Sequence, residues 1–156
     1  MISLLERAGM HFLTCCSQPR YRTAWLIGSP LSGKTTLARQ LCDLHKWRYL
    51  NYTLEQGFFD ALQGHLETYQ PADLLNDLRT WCAAYDQSVL LVDEIDAVLA
   101  TWSIDQRRLF ATRASRLPNL SYGLILVSNL FEVDTLAPLL PDSDLPTYFN
   151  LPGVQR

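Results

Sequence analysis

The chain has 156 residues, enough for one hydrophobic core, and 48% of them are apolar against 19% charged, a balance that excludes a disordered chain. A formal net charge of −3 argues against coating nucleic acid by bulk electrostatics, although it leaves room for a local basic patch. No apolar run approaches the roughly 18 residues of a membrane span, and Glu6 and Arg7 interrupt the N-terminal apolar residues too early for a signal peptide. Cys15, Cys16, Cys42 and Cys82 lack CxxC or Cys/His ligand spacing and read as reduced thiols of a cytoplasmic protein.

In chain order, residues 2–17 form an amphipathic helix, with Leu5, Ala8 and Phe12 at helical spacing and Pro19 closing it. Ala24-Trp25-Leu26-Ile27 is a short buried strand that stops at Gly28. Thr35 to His45 is helical, with Leu37, Leu41 and Leu44 on one face, and Arg48–Tyr52 alternates as a second strand. Residues 54–69 and 71–86 read as helices, with Pro71 in the first turn of the second. Val89–Val92 is a continuous apolar run ending in acid, the pattern of a central parallel strand. A helix from Asp96 to Leu117 follows, then a buried strand at Leu124–Val127, a short helix around 131–140 and an edge strand at Tyr148–Leu151.

Strands alternating with helices predict an α/β sandwich with a mostly parallel sheet. Without a repeat or a linker, residues 1–156 read as one domain: an N-terminal helix over 1–18 and a core over 22–151. Ligands of such sheets sit beyond the carboxyl ends of the strands. Three strands end there in polar groups: Gly28–Thr35, Asp93-Glu94 and Ser128-Asn129.

Gly28-Ser29-Pro30-Leu31-Ser32-Gly33-Lys34-Thr35 matches G-x-x-x-x-G-K-[ST] in full, between a strand and a helix, and Thr36 follows. The glycines admit close backbone approach, the loop N–H groups face phosphate oxygens, Lys34 reaches the β- and γ-phosphates and the Thr35 hydroxyl ligates Mg²⁺. A Gly-Ser turn beside a chance Lys is the bland alternative. Asp93, ending a buried strand beside this loop, suits Mg²⁺ binding, and Glu94 suits the general base that polarises the attacking water. The other reading of Asp93, Glu94 and Asp96 is an acidic helix N-terminus.

Asn129 can orient that water or meet the γ-phosphate, or simply close a turn. Asn51, near the end of the second strand, is a candidate switch that would hydrogen-bond Glu94. Arg107, Arg108, Arg113 and Arg116 form a basic cluster, read as a solvated face, a subunit interface giving an arginine in trans, or a nucleic-acid contact. Trp25, Trp47, Trp81 and Trp102 read as core mass, and His11, His45 and His65 show no ligand spacing.

GSPLSGKTT, VLLVDEID and ILVSN resemble the Walker A, Walker B and sensor-1 motifs of the AAA+ ATPases over residues 22–151. That resemblance implies a five-stranded parallel core, ATP and Mg²⁺, and work done through oligomers or a partner that completes the site. It makes Lys34 and Thr35 the phosphate and metal residues, Asp93 the metal carboxylate, Glu94 the base, Asn129 sensor 1 and Asn51 the glutamate switch. Two departures stand out: the sequence has no room before Arg156 for the family's helical lid, and residues 130–155 hold no Lys or Arg for an arginine finger. Small size and motif wording are similar to the short P-loop proteins of type 3 BREX phage-defence systems, the BrxF family. The expected function is an ATPase coupling nucleotide state to assembly of a larger complex, with self-association or larger protein partners and DNA through that complex. A non-hydrolysing nucleotide-dependent interaction module is the alternative. A small-molecule kinase is disfavoured, because residues 117–155 lack the basic residues of a kinase lid.

Overall fold

The structure is a computed structural model that describes residues 2–55, 62, 64–84 and 88–152. Five strands lie in one sheet in the order β2-β3-β4-β1-β5, where β1 is Thr23–Gly28, β2 Arg48–Asn51, β3 Val89–Asp93, β4 Gly123–Ser128 and β5 Tyr148–Leu151. Every adjacent pair is parallel, so the mostly parallel expectation is met by an all-parallel sheet.

Strand alternation sends successive side chains to two separate cores. Ala24, Leu26, Leu91, Ile125 and Val127 pack on one face with α1 (Leu4–Cys16) and α2 (Lys34–His45). Trp25, Ile27, Leu50, Leu90, Val92, Leu124 and Leu126 pack on the other with α3 (Pro71–Ala84), α4 (Asp96–Leu99), α5 (Ile104–Ala114) and α6 (Val133–Leu136). Helices on both faces of a parallel sheet make the three-layer α/β sandwich. All four tryptophans are buried, and the indole N–H of Trp25 finds the Ser115 hydroxyl at 2.9 Å inside the core. The four cysteines are free and buried.

Three expected elements differ. The single helix over Asp96–Leu117 is two helices, α4 and α5, separated at residues 100–103. Ser103 starts α5 with a reciprocal capping box: its hydroxyl accepts from the Gln106 N–H while the Gln106 side chain accepts from the Ser103 N–H. The break turns Trp102 into the core, where its indole donates to the Tyr69 carbonyl at 2.9 Å. Of the expected helix over 54–69, residues 56–61 and 63 lie outside the described residues, and residues 64–68 form turns rather than a helix. Tyr69 anchors that segment with a short hydrogen bond from its hydroxyl to Asp77 on α3.

Leu44 is 57% exposed and is not on the buried face of α2. The buried stripe runs through Leu37, Ala38, Leu41 and Cys42, so its continuation falls on His45, which stacks on Trp47 with ring centroids 4.6 Å apart. In α1, Ala8 and Phe12 are buried as expected, and Leu5 packs half-buried beside them.

Candidate nucleotide site

Gly28 closes β1 and opens the loop that leads into α2. A side chain at Gly28 cannot fit: a Cβ there would stand 2.6 Å from the Leu151 carbonyl oxygen of β5 and 2.9 Å from Ser32 Oγ, at φ +157°. Lys34, the first residue of α2, is buried at 6% exposure, and its three donors all serve the loop. Its ammonium donates to the Gly28 carbonyl at 3.0 Å, the Ser29 carbonyl at 2.6 Å and Ser32 Oγ at 3.1 Å. Burial pushes the Lys34 pKa down, while Asp96 and Asp93 pull it back up.

Asp93 is 3% exposed and accepts three hydrogen bonds. The Thr35 hydroxyl donates to Oδ2 at 2.8 Å, the Tyr49 hydroxyl to the same oxygen at 2.7 Å, and the Glu94 N–H to Oδ1 at 2.8 Å. Thr35 and Asp93, paired by the sequence, therefore meet directly. The tyrosine was not anticipated. Its pKa is pushed up to about 12, first by burial and then by the Asp93 carboxylate, so it remains a donor at neutral pH, and the Arg39 guanidinium lies over its ring at 5.3 Å.

Glu94 adopts a left-handed conformation (φ 67°), which costs a non-glycine residue about 1 kcal/mol, and its side chain is exposed where it lines the cleft. Burial, then the neighbouring Asp93 and Asp96, raises its pKa. Asp96 is more than an acidic helix start. Its Oδ1 accepts from the Ser128 hydroxyl at 2.6 Å and its Oδ2 from the Asn129 N–H at 2.7 Å, which pins the end of β4 to the start of α4. Burial raises the Asp96 pKa against the opposing pull of those two donors and of Lys34.

Leu31, Gly33, Lys34, Thr35 and Thr36 line one cleft of about 230 Å³ with Asp93, Glu94, Asp96, Val127, Ser128 and Asn129. The structure thus brings together the phosphate loop, the two strand-end acids and Asn129. Ser29, Pro30 and Ser32 belong to the same loop, with Ser29 and Pro30 exposed on it.

Asn51 pairs with Asp93 in the register of β2 and β3, but its side chain does not hold Glu94. Its carbonyl oxygen accepts from the Thr53 N–H at 3.1 Å, the Thr53 hydroxyl at 2.9 Å and the Leu54 N–H at 3.3 Å, closing a local turn. The basic cluster is also divided. Arg107 donates to the Leu99 and Ala100 carbonyls at 2.8 and 3.2 Å and so caps the end of α4. Arg116, just past the end of α5, donates to the Thr112 and Leu139 carbonyls at 3.0 and 2.6 Å. Arg108 and Arg113 are exposed on α5.

The donor set fits a magnesium nucleotide. A hydroxyl and a carboxylate within hydrogen-bond reach are hard oxygen ligands, and the loop pairs a helix N-terminus with a buried ammonium. Residues 24–117, more than half of the chain, match the family described as ATPase family associated with various cellular activities (AAA). The chain belongs to the AAA family. No curated protein matches it. AAA membership carries nucleotide-binding, ATPase-type function in general, and the matched span runs from β1 through α5, ending before Ser128 and Asn129. Among the described residues, no helix is long and apolar enough to cross a membrane, and no cluster of three or more His, Cys, Asp or Glu residues could hold a metal ion.

Proposed function

We propose that this AAA protein binds ATP with Mg²⁺ in the cleft at the ends of β1, β3 and β4 and hydrolyses it as part of a larger assembly. The observation that carries the proposal is the Thr35–Asp93 hydrogen bond beside the exposed Glu94 carboxylate. Thr35 and Asp93 would hold Mg²⁺, which when bound neutralises phosphate charge and aligns the phosphates. Lys34 exchanges the loop carbonyls for phosphate oxygens as its partners. Glu94 accepts a proton from the attacking water, and Asn129, held by Asp96 through its backbone, orients that water from the opposite wall.

The charge of the cleft supports completion by another molecule. Among the described lining residues there is one cation, Lys34, against the carboxylates Asp93, Glu94 and Asp96. A triphosphate adds further negative charge, so a second cation would stabilise the transferring phosphoryl group. Arg108 is the best-placed member of the α5 cluster to serve a neighbouring copy, because it is exposed, whereas Arg107 caps α4 and Arg113 and Arg116 line a separate hollow. Assembly with a larger partner, and through it with DNA, is consistent with the likeness to the short P-loop proteins of type 3 BREX phage-defence systems. A cytoplasmic location follows from the same reading.

Glu94→Gln tests the assignment. ATP binding, followed with a fluorescent analogue, should stay within about threefold of wild type, while phosphate release falls at least about a hundredfold, as expected on losing a general base. Hydrolysis by the variant at the wild-type rate would remove Glu94 from the mechanism. Mass measurement by size exclusion with and without ATP and Mg²⁺ separates a self-completing oligomer from a monomer that waits for a partner.

A further inference from the structure

The opposite edge of the sheet, at the N-terminal ends of the strands, carries a different chemistry. Two hollows meet there, sharing Arg116 and Pro118. The first, about 420 Å³, lies between α3 and α5 and adds Arg79 and Arg113; the second, about 700 Å³, lies before β1 and β4 and adds Arg20 and Arg22. Five arginines thus line a strip of two adjoining hollows, and among the described residues no carboxylate lines either hollow, in a chain whose net charge is −3. Asp142 lines a third hollow, which shares Arg20 and Tyr21.

Two of these cations are fixed in place. Arg22 donates to the Gln18 carbonyl at 3.0 Å and to the Leu120 and Ser121 carbonyls at 3.5 and 3.4 Å, and Arg116 is held by Thr112 and Leu139. Such bonds preorganise a guanidinium while leaving it fully charged. Arg20 lies over the Tyr21 ring at 4.8 Å; Arg79 and Arg113 are exposed. Between the cations the lining is uncharged and mixed: Leu75, Leu117, Pro118 and the Tyr21 ring alternate with Asn76, Thr112 and Asn119.

We infer that this strip binds single-stranded nucleic acid. A row of arginines without interspersed acid suits the evenly charged phosphodiester chain better than a peptide, whose carboxylates are intermittent. The Tyr21 ring and the apolar side chains offer contact to base faces, and Asn76 and Asn119 offer amide partners to base edges, both of which only an unpaired strand can turn into a hollow. The strip lies about a strand length, roughly 20 Å, from the phosphate loop, so it acts on its own chemistry and does not depend on the ATPase reading.

The test uses the full chain without ATP and fluorescein-labelled oligothymidylate and oligouridylate about 15 nucleotides long, read by fluorescence anisotropy over a KCl series. If all five arginines meet phosphates, log affinity against log salt should fall with a slope of about −3.5, taking about 0.7 per phosphate. Arg20→Ala/Arg79→Ala/Arg113→Ala removes the three cations that make no side-chain hydrogen bond among the described residues, so its thermal midpoint should be unchanged. Its slope should drop to about −1.4 and its affinity at low salt at least about tenfold. The two arms tell DNA from RNA, and binding of either supports the inference. Absence of binding at low salt, an unchanged slope in a folded triple variant, equal affinity for a duplex, or equal competition by polyglutamate would each overturn it, the last pointing to an acidic protein instead.

Discussion

At Asp93 a single carboxylate is asked to satisfy three donors, two from other elements and one from its neighbour in the chain: Thr35 of α2, Tyr49 of β2 and the N–H of Glu94. Hydrogen bonds to a charged acceptor are stronger than neutral ones, and a buried carboxylate that loses one loses part of the solvation that burial took away. Tyr49→Phe keeps the ring under Arg39 and deletes only the hydroxyl. It should lower the unfolding free energy of the nucleotide-free protein by about 1.5 kcal/mol, read as a shifted urea midpoint at constant slope. An unmoved midpoint would mean that Thr35 and the Glu94 N–H suffice. Neither Tyr49 nor Asp96 was legible as a site residue. Their partners lie 44 and 32 positions away, and a tyrosine in an alternating strand or an aspartate at a helix start has an adequate local explanation. Lys34, Thr35, Asp93 and Glu94 were legible because their chemistry is written as contiguous motifs.

The elements were read best where burial is total. β1, β3 and β4 are continuous apolar runs, and residues with both faces covered leave no ambiguity of pattern. The reading failed where a local polar motif competes with a longer periodicity. The stretch from Asp96 to Leu117 has the composition of one helix, yet Ser103-Ile104-Asp105-Gln106 spells a capping box that starts a new one. That signal was present in the sequence. What the sequence did not display is that Trp102 and Arg107 reward the break, one by entering the core and the other by satisfying the last carbonyls of α4. Ser103→Ala should cost about 1 kcal/mol of stability in urea denaturation, and Ser103→Thr should recover most of it. Equal stability of the alanine variant would assign the break to Trp102 alone. Asn51 is the same lesson in reverse: its position on β2 suits a switch, but a side-chain turn three residues long claims its oxygen first.

Across the whole molecule, burial raises a set of weak acids together. Cys15 is pushed up to about 11, Cys42 and Cys82 to about 12, and Cys16 higher still, while Tyr49 and Tyr52 reach about 12. In each case the folded state favours the protonated form, so the associated stability is fully present below the unfolded pKa and is lost as pH rises through the folded one. Stability should therefore hold through neutral pH and fall from about pH 9 upward, as the thiols and then the phenols begin to favour the unfolded chain. Thermal midpoints across an alkaline series check the direction; a midpoint that rises above pH 9 would contradict it. Thiol labelling gives an independent view: all four cysteines should resist alkylation at pH 8 in the native protein and react on unfolding.

The carbonyl of Leu151 that leaves no space for a side chain at Gly28 also sets an order of events. Among the described residues β5 pairs only with β1, matching residue 151 to residue 28, so the wall behind the phosphate loop is supplied by chain synthesised more than a hundred residues later. On a ribosome, the loop, its lysine and both acids emerge well before the strand that backs them. A nascent chain halted before β5 should fold its other four strands yet lack a finished nucleotide cradle. Competence to bind ATP would thus wait until translation has passed Leu151.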